Sequence, residues 1–220
     1  LLQPPGRQSV TLAIGIEGML HHALESFLAC DVIDGLAARE AMRGLDTTAG
    51  PGSDAWNAAA AQMEADFAIV TTMRYAGSRV VLTGWWYEVS TRRTVGSAVA
   101  VDLAVASPLR GLRDFVDALV QRPVQLERLP RGSDLERELR QLSFCRYMPA
   151  LLDFAEATLS GWTGQITAGL ERLRAADRME RGFYAGLLRQ AEIVLAEAEL
   201  NPSASDEEDL QLAQGALSRA

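Results

Sequence analysis

Lysine is absent from this chain: all 21 basic residues are arginine, set against 29 acidic residues and a formal net charge of −8. That balance disfavours a nucleic-acid role, because phosphate binding draws on clustered positive charge. A GC-rich coding sequence accounts for the arginine preference without any functional demand for guanidinium groups. Cysteine is nearly absent too. Cys30 and Cys145 are too few for a disulfide framework and lack metal-ligand spacing, so buried free thiols are expected. His21 and His22 are the only histidines. Adjacent helical residues point about 100° apart, so the two cannot jointly ligate one metal, and a surface or helix-edge role is expected for them. No apolar run approaches the roughly 18–20 residues of a membrane-spanning helix. No Ser, Cys and His arrangement has a motif around it, and Gly15–Ile16–Glu17–Gly18 lacks the spacing of a dinucleotide or phosphate loop. The chain therefore reads as non-enzymatic, with no cofactor implied.

Hydrophobic residues make up 48% of the 220 residues and charged residues 23%, an ordinary globular balance. The most legible region runs from Ala65 to Ala104. Phe67, Ile69, Thr71, Met73 and Tyr75 alternate along residues 66–75, the period of a half-buried strand. Ala76–Gly77–Ser78 supplies a turn. Residues 79–91 place Val81, Thr83, Trp85, Tyr87 and Val89 on one face and Val80, Leu82 and Trp86 on the other, so both faces are expected to be covered. Arg92 and Arg93 mark a second connection. Residues 94–105 complete an antiparallel meander, and the small face made by Gly96, Ala98 and Ala100 invites close packing of a helix.

Around this meander the sequence reads as helical. Val10, Leu12, Ile14 and Ile16 alternate as in a strand, or form the first turns of a helix; Met19–Ala29 is a helix. A short strand at Val32–Ile33, a helix from Leu36 to Leu45, a Gly50–Pro51–Gly52 loop and a helix from Asp54 to Glu64 follow. Ser107–Pro108 opens a helix with Leu112, Phe115, Val116, Leu119 and Val120 on its inner side. Pro123, Pro130 and Gly132 mark a linker from Gln121 to Gly132. The fold class expected is α/β of the α+β kind, an α/β/α arrangement with a core at 1–122 and a helical region at 123–220 packed on it as one structural unit. Ser205 and Asp206–Asp209 fit a helix start, where acidic residues suit the positive end of the dipole; calcium-loop spacing is missing.

Two amphipathic segments stand out. In Pro149–Arg174 the apolar stripe holds Leu151, Leu152, Phe154, Leu159, Trp162, Ile166, Leu170 and Leu173, punctuated by Gly161, Gly164 and Gly169. Three interior glycines cost about 1 kcal/mol each relative to alanine, which makes the segment deformable. In Met179–Leu195 the stripe holds Met179, Phe183, Tyr184, Leu187, Leu188 and Val194. Either segment completes a core, or else meets lipid, for which Trp and Phe are suitable anchors. Asp153 and Glu156, at i,i+3, read as a solvated stripe rather than a paired catalytic site.

The succession Glu64–Ala65–Asp66–Phe67–Ala68–Ile69–Val70, Val80–Val81–Leu82–Thr83–Gly84, Tyr87–Glu88–Val89–Ser90–Thr91 and Val95–Gly96–Ser97 resembles the small α/β modules of bacterial envelope proteins, of the TolB N-terminal, CsgG and FlgO type, across residues 9–120. With the glycine-punctuated helices, the absence of lysine and a start at Leu1 that suggests a processed or trimmed terminus, the chain also resembles the treponemal outer-membrane-associated lipoproteins. That resemblance implies an N-terminal acyl anchor, location at the periplasmic face of the outer membrane, and closed and open forms. It further implies lipid or fatty-acid binding and increased permeability. The acylated cysteine is not visible, since Cys30 falls in an expected helix. The expected contacts with membrane lipid are Leu151, Leu152, Phe154, Leu159, Trp162, Ile166, Leu170, Met179, Phe183 and Leu187, reached when the two segments part from the sheet and open an apolar cleft. A periplasmic protein–protein scaffold, using the same faces against an envelope partner, is the alternative.

Overall fold

The computed structural model describes residues 7–28, 30–33, 35–44, 52–76, 79–103, 108–129, 145–181, 183, 186–187, 189, 191–194, 211 and 214–215. Among them the fold is α+β, as the sequence implies: helices α1 (Arg7–Phe27), α2 (Gly35–Ala41) and α3 (Asp54–Gln62), strands β1 (Phe67–Ala76), β2 (Arg79–Glu88) and β3 (Arg93–Leu103), then helices α4 (Pro108–Gln125), α5 (Met148–Trp162) and α6 (Ile166–Met179). The chain divides into two compact units, one from Ala23 to Ser133 and one combining Gln3–His22 with Asp134–Ala220.

In the first unit the meander forms with the order β1-β2-β3, both pairings antiparallel. Pairing of Ala76 with Arg79 sets the first connection, whose own residues lie outside those described. The second is a four-residue turn, Val89–Arg92, closed by the Arg92 amide donating to the Val89 carbonyl, with Arg92 in the left-handed region at φ 55°. Strand β2 therefore ends at Glu88 rather than continuing to Thr91. Between Gly84↔Val99 and Trp86↔Val95 the β3 chain carries extra residues, a bulge in which Gly96 takes φ 72°.

Helix α4 packs on the face made by Val80, Leu82, Gly84 and Trp86 of β2 with Val95 and Leu103 of β3. Contact is close at Gly84, where a Cβ would lie 2.8 Å from Leu119 Cδ1 and 2.9 Å from Phe115 Cζ. A side chain there would push the helix off the strand. The helix thus covers the face with the larger residues, whereas Ala98 and Ala100 are exposed, so the small face does not serve as a helix seat. On the opposite face of β2, Val81, Thr83 and Trp85 are half-buried and Tyr87 is buried under α3, its hydroxyl 2.8 Å from Asn57 Oδ1 and its ring edge-on to Trp56.

The linker expected from Gln121 begins as helix instead, since α4 runs past Pro123 to Gln125. The reason lies one turn back. Proline has no N–H for the Leu119 carbonyl, and its ring crowds that carbonyl. Trp86 Nε1 donates to Leu119 O at 2.8 Å and takes the place of the missing helical donor. The sheet therefore repairs the proline defect in the helix above it.

The alternation at Val10–Ile16 belongs to α1, the second of its two expected readings, and among the described residues Val32–Ile33 is not part of a strand. Leu12, Ile16 and Met19 recur at helical spacing on the buried side, whereas Val10 is 56% exposed. Ser53 caps α3 by accepting from the Trp56 amide. The acidic helix start expected at Ser205–Asp209 lies outside the described residues.

Candidate lipid-contact site

The second unit is where the proposed contacts fall. Helix α1 supplies a groove floored by Gly15 and Gly18, into which α5 lays Leu151, Ala155 and Phe154. A Cβ on Gly15 would meet Leu151 Cδ1 at 3.2 Å and Ala155 Cβ at 3.3 Å, and one on Gly18 would meet Phe154 Cε1 at 2.7 Å. These glycines serve helix approach. Buried Thr11 donates to Glu156 Oε1 at 2.9 Å across the same junction.

Residues 149–174, read in sequence as one flexible segment, are two helices. Helix α5 stops at Trp162, and a Schellman closure follows: the Gln165 amide donates to Ser160 O at 2.8 Å, the Gly164 amide to Gly161 O at 3.1 Å, and Gly164 sits at φ 73°. Gly169 lets α6 fold back, since a Cβ there would lie 3.2 Å from Ala157 O, and Gly161 faces Ile193. Each glycine thus occupies a position where a side chain is costly, and none merely softens a helix interior. The second expected segment is divided as well. Met179 ends α6, and Phe183 lies in non-helical chain before helical backbone at 191–194.

The ten expected contacts separate by burial. Leu151, Phe154, Leu170, Phe183 and Leu187 are core residues, with Phe154 and Phe183 packed edge to face at 5.3 Å. Leu152, Leu159, Trp162 and Ile166 are half-buried, and Met179 is 41% exposed. Asp153 pairs with Arg172 at 2.9 Å while Glu156 serves Thr11, so these carboxylates do not act as a pair. His22 is buried against Phe154 rather than at the surface, and His21 is half-buried beside it.

At the end of the unit where α5 begins, a buried polar knot joins segments distant in sequence. The Glu180 carboxylate accepts from the Arg146 amide at 2.8 Å and the Tyr147 amide at 3.2 Å, and the Cys145 thiol lies 3.0 Å from Oε2 and 2.9 Å from Tyr147 O. Tyr147, the N-cap of α5, makes no side-chain cap bond; Glu180 supplies the negative group there from the far end of α6. Burial, then the bond to Glu180, push the Cys145 thiol well above its ordinary range. It is held as a protonated donor. Cys30 is half-buried just beyond α1, not inside a helix, and its thiol is also raised, by burial and then by Asp31 and Glu25. Sequence reading missed this knot because its partners are more than 30 residues apart; the one local signal is Pro149 near the start of α5.

Among the described residues there is no cluster of His, Cys, Asp and Glu that could hold a metal, and no helix long and apolar enough to cross a membrane. No known protein family, curated protein or solved structure matches the chain.

Proposed function

We propose that this is a non-enzymatic envelope protein that binds lipid and inserts amphipathic helices into the inner leaflet of the outer membrane, as a lipid-anchored periplasmic lipoprotein that alters permeability. The observation that supports this reading is the graded burial of one helical hairpin. Leu151, Phe154 and Leu170 hold its inner side, while Leu152, Leu159, Trp162 and Ile166 reach the margin without being covered completely. Margin residues can enter lipid without first dismantling the core. A fully buried Leu or Ile side chain is worth roughly 1.5–3 kcal/mol, so completing the burial of four half-covered side chains supplies several kcal/mol, enough for reversible attachment. The alternative, a periplasmic scaffold, draws support from the half-buried second face of the sheet around Val81 and Trp85.

Vesicle co-sedimentation of the Leu152→Asp/Ile166→Asp variant tests the proposal. Both positions are half-buried, so the variant is expected to keep its thermal melt near that of the parent while losing most vesicle binding. Parent tryptophan emission is expected to shift blue on mixing with lipid. Undiminished binding by the folded variant, or no binding by the parent, overturns the reading and favours a protein partner.

A further inference from the structure

Exposed apolar side chains are few among the described residues, and two of the five large ones flank the Glu180 junction: Tyr147 is 57% exposed and Met179 41%. The Glu180 carboxylate binds the Tyr147 amide, and Met179 is the residue before Glu180. By gripping the Arg146 and Tyr147 amides it fixes the entrance of α5 beside the final turn of α6. Arg146, Arg178 and Arg181 are exposed around this end, and no ion pair engages them among the described residues. Two carboxylates lie in the same stretch, Glu180 buried under its amide donors and Asp177 half-buried, so the guanidinium groups are the more exposed charges. Three guanidinium groups against two carboxylates leave a small positive surplus at this end of a chain of net charge −8, beside an exposed aromatic and an exposed thioether.

We propose that this end of the unit, with Tyr147, Met179, Arg146, Arg178 and Arg181 exposed about the Glu180 junction, is a docking face for an anionic phospholipid surface. It rests on the lipid-binding reading above and names the part of the unit that touches the bilayer first. Size decides between lipid and protein as the occupant. A stable protein interface covers about 800 Å² on each partner, far more than two side chains offer, whereas a bilayer accepts an anchor of any area. The chemistry agrees: tyrosine suits the headgroup boundary, and guanidinium groups bind phosphate oxygens in pairs. Whole-chain charge predicts indifference to anionic headgroups; the placement of charge at this end predicts a preference. Insertion itself remains apolar, so salt removes the preference and leaves the residual binding.

The test uses the whole chain with vesicles of phosphatidylcholine alone or mixed with phosphatidylglycerol, at low and moderate salt. Two variants are compared, Arg146→Gln/Arg178→Gln/Arg181→Gln and Tyr147→Ser/Met179→Ser, each checked for a parent-like thermal melt. All five side chains lie at the surface, so both variants are expected to fold. The parent is expected to bind the anionic vesicles about tenfold or more tightly than the neutral ones at low salt, since each arginine near an anionic surface adds roughly fivefold. The arginine variant is expected to lose that preference while keeping neutral binding, and the Tyr147/Met179 variant to bind both vesicles more weakly. A parent-like preference in the arginine variant overturns the docking face and leaves the lipid reading standing. Absence of parent binding to either vesicle overturns both. Retention of the parent on polyglutamate with no vesicle binding overturns the proposal in favour of an acidic protein partner.

Discussion

Replacing Trp86 by phenylalanine tests whether the sheet repairs the proline in α4. Trp86 is 4% exposed, and its indole N–H reaches Leu119 O at 2.8 Å, the carbonyl that Pro123 leaves without a helical donor. Phenylalanine keeps an aromatic ring beside Phe67 but removes the donor and part of the volume. An orphaned buried carbonyl costs about 1–3 kcal/mol and the smaller ring about 1 more, so a loss of roughly 2–4 kcal/mol is expected. Stability of the sheet is read from hydrogen exchange of the β2 and β3 amides, which reports local opening of this unit. The decisive comparison repeats the substitution on a Pro123→Ala background. Alanine restores an N–H that can serve Leu119, so the cost of losing the indole donor is expected to fall by about 1 kcal/mol. An identical cost on both backgrounds would refute the reasoning, because the carbonyl would then not have depended on Trp86.

Gly84→Ala is expected to destabilise the same unit by about 1–3 kcal/mol, since the added Cβ meets the fully buried Leu119 and Phe115; urea titration checks it, and an unchanged midpoint counts against close helix–sheet contact. Cys145 gives the second unit a pH dependence. Its folded thiol is raised above the ordinary 9.0, so its contribution is complete below that value. It then declines as pH rises, because the unfolded thiol ionises while the folded one stays protonated. Between pH 8 and 10 the parent should therefore lose more stability than Cys145→Ala, with equal losses refuting the assignment.

Strand positions were legible because their signal is local. Phe67, Ile69 and Met73 alternate, charged and small residues interrupt between strands, and the observed pairing follows. The same period left strand and helix both open at Val10–Ile16, and the helix α1 formed there buries Leu12, Ile14 and Ile16 but leaves Val10 exposed. Glycines were harder. Gly161, Gly164 and Gly169 look alike in sequence, yet one faces Ile193, one turns the chain at positive φ and one admits a neighbouring backbone.

Sequence by itself determined the meander and the apolar stripes of α5 and α6, since each follows from residue type and short-range spacing. Tertiary structure alone decided which stripe residues are interior. Periodicity names the face that must be covered but not its cover, so the α1 groove at Gly15 and Gly18 buries Leu151 and Phe154 while Leu152 stays at the margin. It also decided that Glu180 holds the entrance of α5 and that Trp86 satisfies Leu119, because a buried polar group takes whichever partner the fold brings within hydrogen-bonding distance, however far away in the chain.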